Sequence, residues 1–140
     1  MSDALILVVD DNHYNLKFTR VLLESEGFAV RCASSGEAAL GVLATLTPDL
    51  ILMDVQLPGM DGLEVTRRIR LSGLRRAASE GPVPIVAVTA SATGNDRARA
   101  VEAGCDAWLS KPIDVPHLLS TVRTLLESRS GPPISQETGS

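Results

Sequence analysis

The stretch Asp49-Leu50-Ile51-Leu52-Met53-Asp54 decides the fold of this 140-residue chain. Four successive apolar residues leave no solvated face, so the run reads as a strand covered on both sides, as parallel strands are. A second run, Leu5-Ile6-Leu7-Val8-Val9, has the same character and ends in Asp10-Asp11. Two further runs end in polar residues: Ile85-Val86-Ala87-Val88 in Thr89, and Ala107-Trp108-Leu109-Ser110 in Lys111. If these strands are parallel, all five terminal side chains gather at one edge of the sheet.

Working outward, short apolar runs alternate with longer amphipathic stretches, the pattern of repeated β-α units in an α/β fold. Strands are expected at about 4–10, 28–32, 49–54, 84–89 and 106–110, the second being the weaker Phe28-Ala29-Val30-Arg31-Cys32 and therefore an edge strand. Five helices are expected. The first spans about 13–26, with Phe18, Val21, Leu22 and Ser25 on one face and Gly27 as its stop. The second has capping-box spacing at Ser34 and Glu37, with Ala39, Val42, Leu43 and Leu46 buried. The third starts near Asp61-Gly62 with Val65 and Ile69 inward, and the fourth covers about 95–103. The fifth follows Asp114, carrying Leu118, Val122, Leu125 and Leu126, with Pro116 in its first turn where a missing N–H is harmless. The segment 71–84 is longer than a tight connection needs and is expected to hold an extra turn and a loop. From Ser128 the composition turns to Ser, Gly, Pro and Thr, so 1–128 reads as one domain and 129–140 as a disordered tail or linker.

Composition fits this reading. A hydrophobic fraction of 44% supports a compact core, and a net charge of −4 argues against a nucleic-acid-binding surface. Cys32 and Cys105 are far apart, lack metal-ligand spacing and read as small core residues in a reducing compartment. No basic segment precedes the first apolar run, which breaks at Asp10, too short for a signal-peptide core or a membrane span. The expected location is the cytoplasm.

In an open parallel sheet, ligands bind beyond the carboxyl ends of the strands. Three carboxylates there, Asp10, Asp11 and Asp54, repel one another and call for a cation. An all-oxygen donor set suits Mg2+, which keeps several of its waters and leaves positions for a phosphoryl group. A carboxylate is itself a competent nucleophile for phosphoryl transfer, and the transferring group then needs positioned donors such as an ammonium and a hydroxyl. Lys111 and Thr89 supply these.

Together these residues resemble the receiver domain of two-component response regulators. The resemblance covers about 4–128 and rests on Val9-Asp10-Asp11-Asn12, on Asp49 to Asp54 followed by Leu57-Pro58-Gly59-Met60-Asp61-Gly62, on Val88-Thr89-Ala90 and on Lys111-Pro112. Each piece alone is weak, and all of them in this order are highly specific. Asn12 and Asn15 together, with no output domain in sight, are similar to stand-alone receivers of the DivK kind and to receivers of hybrid kinases. The resemblance implies a doubly wound five-stranded parallel sheet in the order 2-1-3-4-5 with five helices, the flavodoxin-like receiver fold. It implies that Asp54 accepts a phosphoryl group from the phosphohistidine of a sensor kinase or histidine phosphotransfer protein. It also implies that Asp11, Asp54 and the backbone carbonyl of Gln56 bind Mg2+ directly, with Asp10 acting largely through water. Lys111 would pair with the phosphoryl oxygens, across a cis bond to Pro112, and Thr89 would move toward them. The fourth helix, fifth strand and fifth helix would then present the changed surface to a downstream protein, with no part for nucleic acid or membrane. One departure stands out: the switch aromatic, commonly Tyr or Phe, is Trp108 here.

Competing readings fare worse. A haloacid-dehalogenase-like phosphatase with an aspartate nucleophile needs a second acid two residues on, and here Gln56 follows Asp54 and Asn12 follows Asp10. A flavin-binding relative would have to cradle a phosphate where Asp10-Asp11 would repel it. A receiver-like module that is never phosphorylated need not keep Asp10, Asp11, Asp54, Thr89 and Lys111 together. His13 and His117 read as exposed helix residues, so the donor histidine is expected on another protein. The cluster Arg67, Arg68, Arg70, Arg75 and Arg76 reads as a solvated helix end, and Gly94-Asn95-Asp96-Arg97 as a mobile loop and cap beside Thr89.

Overall fold

A computed structural model describes residues 4–75, 81–90 and 94–127. Its elements alternate without exception: β1 (Leu5–Val9), α1 (His13–Ser25), β2 (Ala29–Ala33), α2 (Gly36–Leu43), β3 (Leu50–Asp54), α3 (Gly62–Ser72), β4 (Ile85–Thr89), α4 (Gly94–Ala103), β5 (Ala107–Ser110) and α5 (Val115–Glu127). The strands form one sheet in the order β2-β1-β3-β4-β5, with all four pairings parallel. The α/β, doubly wound architecture expected from the apolar runs is therefore the observed one, and β2 lies at an edge.

The strand periodicity of two divides the apolar side chains between the faces. Leu7, Val9, Ile51, Met53 and Ile85 pack under α2 and α3 through Ala39, Val65 and Ile69. Ile6, Val8, Leu52 and Val86 face the other way, onto Leu16 and Leu23 of α1 and Leu118 and Val122 of α5. A smaller cluster, Leu63, Ala87, Ala100 and Ala103, seats α4 beside α3. Burial on both faces is why β1, β3 and β4 read as unbroken apolar runs.

Three local expectations are corrected. On α1 the buried residues are Leu16, Thr19 and Leu23, while Phe18 and Val21 are 53% and 54% exposed. Apolar residues occupy both sides of this helix, and the polar Thr19 masks the true inner face. The α2 cap is Ser35, not Ser34: its side chain accepts the Ala38 N–H at 3.0 Å, which removes the capping-box partnership with Glu37. Gly94-Asn95-Asp96-Arg97 is not a loop but the first turn of α4, with Asp96 placed to offset the helix dipole.

Arg70 also departs from the solvated-cluster reading. Its guanidinium donates to the carbonyls of Gly104 at 2.9 Å and Val83 at 2.6 Å and to the Asp106 carboxylate at 2.8 Å, tying α3 to the segments flanking β4 and β5. Arg67 and Arg68 pair with Glu64 on their own helix. Arg76, with the rest of 76–80 in the middle of the 71–84 connection, and the tail expected at 129–140 lie outside the described residues.

Candidate functional site

The parallel sheet delivers its strand ends to one edge. Asp54 is the last residue of β3 and Thr89 the last of β4; Asp10 and Asp11 follow β1, and Lys111 follows β5. Neighbouring registers keep these ends level, with Val9 opposite Met53, Asp54 opposite Val88 and Thr89 opposite Ser110. The Lys111 N–H donates to the Thr89 carbonyl at 2.8 Å, which continues the ladder one residue beyond β5. The Lys111–Pro112 peptide is cis.

Within this edge, Asp10, Asp11 and Asp54 place one carboxylate oxygen each within 4.8 Å of one another. Asp54 is 2% and Asp10 7% exposed, and Asp11 lies at the surface. Their neighbours fix them. The Asn12 N–H donates to Asp10 at 2.9 Å and the Gln56 N–H to Asp54 Oδ1 at 3.0 Å. Lys111 Nζ lies 3.2 Å from Asp54 Oδ2 and 3.7 Å from Asp10 Oδ2. One ammonium against three carboxylates leaves a negative excess in a low-dielectric recess, so the donor set fits a hard divalent cation.

Burial pushes the Asp54 carboxyl above the ordinary carboxylate range, against the opposing pull of the Gln56 N–H and the Lys111 ammonium, while Asp10 adds to the rise. The folded state therefore holds this proton to higher pH than the unfolded chain does. By linkage, this group lowers stability as pH rises from the unfolded value of about 4 through its raised folded value. In chelator, the melting temperature of Asp54→Asn should exceed that of wild type above this window and match it more closely below. Identical pH profiles for the two proteins would contradict the electrostatic account.

Around the site, Asn12 caps α1 by accepting the Asn15 N–H at 3.0 Å, and Asp61 caps α3 by accepting the Glu64 N–H at 2.9 Å. Gly62 makes the closest backbone approach. Its N–H donates to the Val55 carbonyl at 3.0 Å, and a Cβ there would sit 2.0 Å from the Asp54 carbonyl oxygen. Trp108 is half-buried on β5, with the Arg97 guanidinium 5.0 Å from its ring centroid. Gly62 and Arg97 are the site-proximal residues whose roles the sequence did not disclose. The Asp-Gly dipeptide hinted at a helix start, but nothing local signals Arg97. His13 and His117 are exposed. Both cysteines are free thiols, and burial pushes the Cys105 thiol up to about 11, which disfavours its thiolate at neutral pH.

Comparison with known proteins agrees with this geometry. The sequence pattern of the response regulator receiver domain matches residues 6–123. The chain belongs to this family. It is 40% identical over 121 residues to the polar-differentiation response regulator DivK of Brucella ovis, covering 86% of this chain and 94% of that one. Among solved structures, the Vibrio cholerae chemotaxis protein CheY4 superposes with a TM-score of 0.80 at 26% identity, covering 89% of this chain and 99% of that one. The receiver domain of the Pseudomonas aeruginosa sensor histidine kinase PA1611, with a magnesium ion in its active-site cleft, gives 0.78 at 32% identity over 91% of this chain and all (100%) of that one. The chain is thus a receiver domain of two-component signalling rather than a classical enzyme, and the phosphatase alternative finds no support. No helix among the described residues is long and apolar enough to cross a membrane.

Proposed function

We propose that the chain is a phosphorylation-dependent switch in which Asp54 accepts a phosphoryl group from a partner's phosphohistidine. The observation that carries this reading is the placement of Lys111 Nζ beside the buried Asp54 carboxylate, with Asp10 and Asp11 completing an acidic cluster around it. An Asp54 oxygen attacks phosphorus in line as the P–N bond breaks, and the departing imidazole keeps the electron pair. The Asp11 and Asp54 carboxylates and the Gln56 carbonyl would hold Mg2+, with Asp10 acting largely through water. When bound, the cation supplies neutralising charge to the phosphoryl oxygens. Lys111 exchanges its contact with Asp54 for one with those oxygens, and Thr89 donates its hydroxyl to them. Water entering past the exposed Gln56 returns the protein to its starting state by hydrolysing the acyl phosphate. The signal passes to a downstream protein through α4, β5 and α5 in the cytoplasm. Residues 1–128 act as the receiver and 129–140 as a linker or tail.

A surface beside the site suits the donor. The helix α1 begins two residues after Asp11, and its outer face carries Tyr14 at 84%, Phe18 at 53% and Val21 at 54% exposure. Such an apolar stripe, running from the rim of the site, fits the helical surface of a protein that presents a phosphohistidine. With a phosphorylated protein donor, the Tyr14→Ala/Phe18→Ala double variant should accept phosphate at least about tenfold more slowly, as for the loss of an interface hot spot. Its labelling by acetyl phosphate should match wild type. An unchanged rate from the protein donor would remove α1 from the docking surface.

A further inference from the structure

Trp108 stands on β5 opposite Ala87, two residues before Thr89 on the same face of β4. Between these strands and α4 lies a small slot walled by Val55, Leu63, Ala87, Thr89, Ala100 and Trp108. Its volume is about 10 Å³, room for no more than one water molecule and far too small for an indole. Arg97, which also lines the slot, rises from the first turn of α4 and lays its guanidinium over the indole, 5.0 Å from the centroid. The ring therefore has no space of its own size to enter and lies under a cation.

We propose that Arg97 is the positioning residue that holds Trp108, and with it α4, in the unphosphorylated arrangement, so that breaking the Arg97–Trp108 contact is the step by which the state of Asp54 reaches the α4–β5 surface. This rests on Asp54 being the phosphoacceptor. Any movement of the ring into the slot would require α4 to draw away from β4 and β5, because Ala100, which closes the slot, and Arg97, which covers the ring, sit three residues apart on that helix. One displacement of α4 both opens the slot and removes the cation. A contact made in only one of two states favours that state by its own free energy, and the bias acts reciprocally on whatever ligand favours the other state. Arg97 thus opposes phosphorylation, and its loss favours it.

The test is a fluorescence titration of the full chain, using Trp108, the sole tryptophan, as reporter and beryllofluoride with Mg2+ as the phosphoryl mimic. For Arg97→Ala, half-saturation should fall about two- to fivefold below wild type, the range of one partly exposed cation–π contact. Acrylamide quenching of the ligand-free variant should rise as the ring is uncovered. Arg97→Lys, which keeps a cation over the ring, should lie close to wild type in both readouts. Arg31→Ala, which removes one positive charge from β2 at the opposite edge of the sheet, should leave both unchanged. Unchanged half-saturation and quenching in Arg97→Ala would overturn the proposal, as would weaker binding of the mimic. Failure of wild-type protein to bind the mimic at all would overturn the phosphoacceptor reading and the Arg97 proposal with it.

Discussion

Asp54→Asn is expected to abolish phosphoryl uptake. With acetyl phosphate and Mg2+, wild type should gain one phosphoryl group per chain, while the variant should be labelled slower by at least about a factor of 10³, the scale on which loss of a nucleophile is felt. The amide is nearly isosteric with the carboxylate, so the β3 end, the Lys111 ammonium and the Gln56 N–H stay where they are. What disappears is the oxygen proposed to attack phosphorus and one proposed ligand of the cation site. No other carboxylate of the cluster takes its place readily: Asp10 accepts the Asn12 N–H, and Asp11 lies at the surface. Circular dichroism separates lost chemistry from lost fold. Equal labelling of the two proteins would remove Asp54 from its assigned role.

The second large effect is structural and reaches the same residue from behind. Gly62→Val should cost about 3 kcal/mol or more of stability, read from chemical denaturation. A Cβ at this position would lie 2.0 Å from the Asp54 carbonyl oxygen and 2.9 Å from its carbon, so backbone, not a yielding side chain, is in the way. Relief requires α3 to retreat from the end of β3. That retreat breaks the Gly62 N–H to Val55 carbonyl bond and shifts the loop carrying the Gln56 carbonyl. Mg2+ should consequently stabilise the variant less than wild type. Wild type gains about 2.7 kcal/mol at a hundredfold excess over its Kd. Gly41→Ala gives the contrast: it lies within α2 with nothing inside 4 Å of the added Cβ, and the helix propensity of Ala should raise stability by up to about 1 kcal/mol. Equal stabilities for Gly62→Val and wild type would contradict the close approach.

The sequence was most legible where one physical demand dominated. Strands buried on both faces must be apolar throughout, so β1, β3 and β4 could be read residue by residue, and their polar terminators marked the site. The cluster of Asp10, Asp11, Asp54 and Lys111 followed because a parallel sheet places all such ends at one edge. Legibility failed where two demands compete. On α1 the large apolar residues Phe18 and Val21 face outward and the inner stripe runs through Thr19, so hydrophobicity alone grouped them with Leu22, which does pack on the core. At α2 two adjacent serines could each cap, and the choice between Ser34 and Ser35 depends on how the chain leaves β2. Arg70 counted as one charge among five, yet its three long-range bonds to Val83, Gly104 and Asp106 exist only after β4 and β5 are in place. Gly62 and Arg97 owe their importance to what lies across the fold from them, which no local pattern encodes.

That separation also explains how the domain divides its work. The chemistry sits on strand ends held by an apolar sheet whose core side chains Ile6, Leu7, Leu50, Ile51 and Ile85 have no measurable exposure (0%). The parts proposed to report on the chemistry lie on β5, an edge strand, and on α4, whose buried residues among those described are only Ala100 and Ala103. A helix so lightly anchored can move without disturbing the site.

The most direct measurement is borohydride trapping. Protein treated with acetyl phosphate and Mg2+ is reduced with sodium borohydride, which converts an aspartyl phosphate to homoserine, and the modified peptide is located by mass spectrometry. Homoserine is expected at position 54 in wild type, in amounts that vanish when Mg2+ is chelated. Homoserine at position 10 or 11 with Asp54 unmodified, or phosphate retained on His13, would contradict it.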